Sequence, residues 1–317
     1  MLKRGYDTEG EVVRAVFTPC VEQVRESVVR LEADGALVAL GMVVSADGQV
    51  LTKASELRDD HGNARTVSAV FVDGRRAAVE VLAVDFRDDL ALLRVDQAVW
   101  PTAAVVWPEG MTEDEGLALG RWVVVPGLDA VPLAVGVVSA VQRSLPPVRL
   151  GVAFFVDPTR ERLVVSDVKH NMGAAAAGVQ KDDVLLELEG AELHTIEDVR
   201  EPLRNRGAGD TLDLVVEREG ERITLEVTLM NRPIDLKNRS DFMNHMGNAI
   251  SRRRDGFDRV FQHDATISPS QCGGPVVDVD GRLLGVNIAR AGRVEAFVLP
   301  VEVVAAALKR LRAGAKE

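Results

Sequence analysis

Apolar residues recur at helical spacing near the start of the chain, at Val13, Val16, Phe17, Cys20, Val21, Val24 and Val28. Thr18 followed by Pro19 reads as an N-cap with proline at the first helical position, which predicts a break inside this segment. The pattern therefore predicts a helical N-terminal segment over residues 1–33, with Cys20 on its apolar face as a core residue. From Ala36 the period changes. The run Ala36–Val44, the turn Asp47-Gly48 and the run Gln49–Thr52 form a hairpin signal. Further strands are predicted at Val67–Val72, Ala77–Val84 and Asp88–Val95, a spacing that implies a barrel or sandwich over 34–108. Trp122–Val141 is as long as a membrane span, but Pro126, Gly127, Asp129 and Pro132 interrupt it, so two buried strands are predicted instead.

Two further blocks follow. Between Val148 and Leu229 the pattern gives short strands at Leu163–Val168, Val184–Leu188, Leu212–Glu217 and Arg222–Leu229, a small-residue helix at Gly173–Ala177 and a second helix near Ile196–Arg206 containing Pro202. This is a self-contained α+β unit, expected over 147–230. It would split a second barrel into a first part at 109–146 and a second part, with a C-terminal amphipathic helix at Val301–Arg312, at 231–317. The polar stretch Ser251–Gly256 reads as a solvated basic loop or a basic docking loop.

Composition adds little to the fold and more to the partners. Valine-rich runs, 27 glycines and few aromatics suit strands and tight turns. A net charge of −11, from 38 basic and 49 acidic residues, argues against nucleic acid or an anionic membrane as the main partner. Cys20 and Cys272 are the two cysteines, too few for a disulfide framework, and no metal or cofactor motif is present. Met1–Asp7 has basic residues without an apolar stretch behind them, so no secretory signal is read and the compartment stays open.

The chemistry concentrates at Phe261–Pro275, where a strand gives way to a Ser/Pro turn, a thiol at Cys272 and the glycines Gly273 and Gly274. Such a turn can expose a nucleophile while glycines bring backbone N–H groups near a developing oxyanion. On these residues alone, a hairpin with a buried cysteine is the competing reading. His263-Asp264-Ala265, Ser268–Gly274, Asp280-Gly281 and Gly285-Val286-Asn287 resemble, in order and spacing, the nucleophile segment of HtrA-type proteases, trypsin-fold enzymes that carry PDZ domains. The resemblance extends to Asp88–Val95, placing Asp89 at the triad aspartate, and to Ala174–Leu186, which resembles a PDZ phrase with Asp182 in place of a glycine. It implies a mostly β protein of two six-stranded trypsin-like β-barrels with an inserted PDZ domain.

Two departures from the family pattern bear on activity. Leu51–Leu57 puts Ser55 where the resemblance places the general base, and Cys272 stands at the nucleophile. A serine hydroxyl does not take up a proton near neutral pH, and loss of the histidine from such a triad costs on the order of 10^6 in turnover. The histidines left to replace it are His61, His170, His194, His245 and His263, and Lys53 is a further candidate base. The second departure is Ser270 at a glycine of the oxyanion loop, which is expected to mis-set the hole. In the PDZ-like unit the resemblance makes Leu150, Gly151 and Val152 the loop that receives a peptide's terminal carboxylate, with Ile196, Val199 and Leu203 along the groove. The arginines of the last hairpin, Arg290 and Arg293, are expected to favour acidic ligands. The expected protein is thus a proteolytically inactive or weakly active homologue that binds peptides or unfolded segments in quality control or as a scaffold. The alternative is an endopeptidase using Cys272. Family likeness further implies the cell envelope and a homo-oligomer, often a trimer.

Overall fold

A computed structural model describes residues 10–59, 63–96, 103–107, 117–145, 149–158, 162–170, 172–203, 206, 209–230 and 249–315. The N-terminal segment forms two short helices, α1 (Glu11–Ala15) and α2 (Thr18–Arg25), separated at Val16-Phe17, so Phe17 and not the expected Thr18 is the N-cap and Thr18 opens the helix itself. The helical spacing does not continue to Leu31, because Val28–Ala33 is strand β1, so the first barrel begins before residue 34. The reason is an ambiguity of period. Val24, Val28 and Leu31 fit a helix, but the valine pair and the partners available on both sides favour pairing in a sheet.

The first barrel closes through β1, β2 (Ala36–Val43), β3 (Gln49–Lys53), β6 (Leu90–Val95), β5 (Arg76–Asp85) and β4 (Ser68–Val70), in that order around the ring. Its interior is filled by Leu31, Ala39, Val50, Ala69, Ala91 and Leu93 among others. The second barrel closes in the order β15 (Val260–His263), β18 (Glu295–Pro300), β17 (Leu283–Gly292), β16 (Pro275–Val277), β7 (Trp122–Val125) and β8 (Ala134–Arg143). The run Trp122–Val141 is therefore two paired strands. No helix among the described residues is long and apolar enough to cross a membrane. The last helix, α5 (Val301–Gly314), buries Val304, Ala307, Leu308 and Leu311, and its Arg310 donates to Asp85 and Asp88 of the first barrel.

Between β8 and β15 the chain forms a separate compact unit. Its sheet runs β14 (Glu221–Thr228), β13 (Thr211–Arg218), β11 (Val184–Leu188), β10 (Arg162–Val168), β9 (Val152–Asp157), with β12 (Ala191–Glu192) beside β11. Two helices, α3 (Gly173–Ala176) and α4 (Ile196–Leu203), complete it around a core that includes Leu163, Val165, Leu185, Leu214 and Val227. Gly173 lets α3 touch β14, since a Cβ there would lie 1.7 Å from the Thr228 carbonyl oxygen. Asp182, at the position where a glycine was expected, adopts the glycine-like φ of +71°.

Candidate functional site

Cys272 ends a 3-10 turn, Pro269–Gln271, opened by a proline and stapled by Gln271, whose Oε1 accepts the Ser268 N–H at 2.8 Å. Ser270 Oγ lies 3.0 Å from Ser268 Oγ. The turn folds the Cys272 N–H back onto the Pro269 carbonyl at 3.0 Å, so an amide that would face a developing oxyanion is already committed. Positive φ appears not at Ser270 but at Gly273, +95°, where an added Cβ would lie 2.2 Å from the Leu40 carbonyl oxygen. That close approach joins the barrels. Leu40 of β2 donates its N–H to the Cys272 carbonyl at 2.9 Å, and Thr52 Oγ1 of β3 donates to the Leu40 carbonyl at 2.5 Å.

The same seam brings Ser55 and Asp89 together. The Ser55 N–H donates to Asp89 Oδ1 at 2.8 Å and its hydroxyl to Oδ2 at 2.9 Å. Asp89 is buried with a positive φ of 55°, in the turn that leads into β6. Burial pushes its carboxyl above the usual carboxylate range, against the pull of Lys53, Arg253 and the two bonds from Ser55. Lys53, the last residue of β3, is wholly buried. Its ammonium lies 3.9 Å from Asp89 Oδ2 and donates to Glu56 Oε1 at 3.1 Å and to the Arg253 carbonyl at 3.3 Å.

Cys272 itself has no exposed surface. Its Sγ is 3.9 Å from Ser251 Oγ and 3.8 Å from the Ser268 carbonyl oxygen. Burial pushes the thiol up to about 11, further than the field of Lys53 and the contact with Ser251 draw it back. His263 does not serve it. The Ala265 N–H donates to His263 Nδ1 at 3.1 Å, so the ring proton sits on Nε2, which donates to Asn287 Oδ1 at 2.7 Å. Burial holds that ring below the ordinary imidazole range, and both nitrogens are occupied. His61 and His245 lie outside the described residues.

Three residues acquire roles that pattern reading did not supply. Ser251 and Arg253, in the stretch expected to be a solvated or docking loop, are buried. Arg253 reaches the carbonyls of Phe86 and Arg87, beside Asp89. Lys53, weighed only as a base, is the buried counter-cation of the seam. The signal was a Ser-Arg-Arg-Arg run in a strongly acidic chain, whose donors find carbonyl acceptors inside rather than a partner outside. Arg290 also departs from expectation. It is buried, with Nε donating to the Gly292 carbonyl and Nη1 to that of Ala249, and does not present itself to an acidic ligand, whereas Arg293 is exposed.

In the α+β unit, β9 is an edge strand with Phe155 and Val156 half exposed. The loop before it turns at Gly151, φ +91°, where a Cβ would lie 2.1 Å from that of Met172. Leu150 is packed into the core, and its carbonyl and that of Gly151 accept from Ala174 and Lys169. No acceptor among the described residues takes the N–H of Leu150 or Gly151. Val152 begins the edge strand. Val199 and Leu203 are buried in the core, and Ile196 is left 45% exposed.

A family model of the trypsin-like peptidase domain matches residues 39–181, and a model of the PDZ domain matches residues 148–229. Residues 148–181 fall under both matches, and in the structure they belong to the α+β unit. A protein of Halomonas elongata described as a probable periplasmic serine endoprotease, DegP-like, is 30% identical over 110 residues, which cover 33% of this chain. The chain thus carries a trypsin-like peptidase domain and a PDZ domain, the pair that its sequence resemblance to HtrA-type proteases implies. The aligned stretch spans only 21% of that relative. The trypsin-like part is the pair of barrels, and the PDZ domain is the unit between β8 and β15.

Proposed function

We propose that this HtrA-type protein is proteolytically inactive or very weakly active, and binds extended peptides or unfolded protein segments through its PDZ domain. The observation that carries the reading is Ser55. It occupies the hydrogen-bonding place on Asp89 that the family resemblance gives to the general base, and a hydroxyl there holds the aspartate without taking up a proton. Cys272, the nucleophile position, adds two obstacles of its own, a thiol raised to about 11 and an amide turned onto Pro269. Ser270 takes part in that turn rather than offering a glycine-like bend.

Peptide binding is supported by the PDZ match and, among the described residues, by the unpaired edge of β9 and the two N–H groups at Leu150 and Gly151 that no acceptor takes. A peptide lying along β9 would end its chain at those donors and set an apolar residue near Ile196. Calorimetry with peptides ending in a free carboxylate and with their amides tests this. The carboxylate form is expected to bind at least tenfold more tightly, and equal affinities would remove the terminal-carboxylate role.

The second reading, an endopeptidase using Cys272 with Asp89 retained, draws support from the likeness to a protein described as an endoprotease and from the Lys53 field on the thiol. Digestion of a denatured protein separates the two.

A further inference from the structure

A cavity of about 310 Å³ opens on the second barrel, lined by Arg14 of α1, Trp122 of β7, the stretch Leu133–Val137 that enters β8, and Asp264 beyond β15. All of these residues belong to the barrel unit. Two opposite charges line the cavity without meeting. Arg14 commits Nη1 to the carbonyls of Pro132 and Leu133, at 2.9 and 3.0 Å, and no acceptor among the described residues takes the hydrogens of its Nε or Nη2. Asp264 accepts the Val137 N–H on Oδ1 at 2.7 Å and donates its own N–H to the Val137 carbonyl at 3.3 Å, and no donor among the described residues reaches its Oδ2. Between these two groups β8 has an unused edge. Bonds of a strand alternate from side to side along it. Val138 faces the β7 side, donating to the Arg121 carbonyl at 2.8 Å and accepting from Gly120 at 2.9 Å, while Val137 faces Asp264. Val135 therefore also directs its N–H and carbonyl away from β7, and neither has a partner among the described residues.

The order along the strand is thus Leu133 beside Arg14, Val135 unpaired, and Val137 beside Asp264. From Leu133 to Val137 the strand advances about 13 Å. Two residues of extended peptide reach about 7 Å, and a hydrogen bond of about 3 Å at each end brings the total to the same span. A ligand of a single charge would meet one like charge in the cavity, whereas a zwitterion satisfies both groups. We propose that this cavity binds a dipeptide with free ends, running antiparallel to β8, its carboxylate on Arg14 and its ammonium on Asp264. Its one peptide bond faces Val135. Its apolar side chains have Leu133 and Trp122 to pack on, the indole being fixed by Phe17, at 5.1 Å between ring centroids, yet still 42% exposed. Such a mixture of apolar walls and a few convergent polar groups is what small-ligand sites present. The inference is independent of the PDZ reading and of the Ser55–Asp89 seam, since it uses residues of neither.

The test is titration calorimetry on the full chain with leucyl-leucine, its N-acetyl form, its C-terminal amide and free leucine. Wild type is expected to bind leucyl-leucine at least tenfold more tightly than either blocked form or leucine, the worth of one charge-assisted hydrogen bond. Asp264→Asn keeps an acceptor for the Val137 N–H and removes the charge, and Arg14→Gln removes the guanidinium. In Asp264→Asn, acetylation of the ligand is expected to cost nothing further while amidation still costs tenfold, and in Arg14→Gln the two effects exchange. This crossing separates the cavity from the PDZ groove, where a free carboxylate would bind without regard to Asp264 or Arg14. Affinity for leucyl-leucine unchanged in both variants, blocked forms or leucine that match it on wild type, or no binding at millimolar dipeptide overturns the inference. If Arg14→Gln does not fold, Asp264→Asn decides with the acetylated and free dipeptides. Equal affinities for the two support the site, and a tenfold preference as in wild type overturns it.

Discussion

Asp89 is a buried carboxyl held by two hydrogen bonds from Ser55 and the nearby Lys53 ammonium, which Asp89 shares with Glu56. Neutralising Asp89 leaves the buried Lys53 ammonium with Glu56 as its remaining carboxylate partner. Asp89→Asn is expected to cost about 1–3 kcal/mol of stability, chiefly through its bonds with Ser55, read by denaturant titration, and an unchanged stability would mean that these bonds do not hold the seam. Cys272 gives a pH dependence whose sign is fixed. Its folded-state pKa, about 11, lies above the unfolded value of 9.0, so the native state keeps a proton that the unfolded chain has lost. The associated stability is whole below about pH 8.5, and falls as pH rises through 11, by roughly 2–3 kcal/mol in total. Unfolding titrations of wild type and Cys272→Ala between pH 8 and 11 should diverge, the wild type losing more, and parallel profiles would show that the thiol is not desolvated. The short phrases around Asp89 and Cys272 carry the likeness in the sequence, and the structure places Asp89 against Ser55 as that likeness implied. The burial of the thiol was the competing reading of the sequence and is what the structure shows, whereas its contact with Ser251, on a separate stretch of the chain, was not legible.

At the scale of elements, the turns did most of the specifying. Asp-Gly steps and alternating apolar runs located the hairpins of the first barrel, and the prolines of Trp122–Val141 separated β7 from β8. The start of the first barrel was misread because a valine-rich stretch following a helix satisfies both periods, and only pairing with β2 and β4 decides between them. The Ser251–Arg254 stretch was misread for a related reason, as polarity alone does not tell a solvated arginine from one that donates to buried carbonyls. The element that fixes the seam is the turn through Gly273. Gly273→Ala places a methyl against the Leu40 carbonyl and forces a left-handed conformation on a side-chain-bearing residue. A loss of at least about 2–4 kcal/mol is expected in thermal melts, with faster Cys272 modification, and a variant as stable as wild type would mean that the seam can open without penalty.

For the whole molecule, the unusual feature is order along the chain, with the PDZ domain falling in sequence between β8 and β15 of the second barrel. In sequence β8 precedes that domain, and residues 249–254 and then β15 follow it. Peptide capture by the PDZ domain is therefore expected to change the modification rate of Cys272 by severalfold, and an unchanged rate at saturating peptide would separate the two units functionally. The central claim is that a trypsin-like fold is kept here without its proteolytic chemistry. The most direct measurement is digestion of denatured casein by purified full-length protein beside Cys272→Ala. The account predicts no cleavage that distinguishes the two proteins, and fragments that accumulate with wild type and vanish with Cys272→Ala would contradict it.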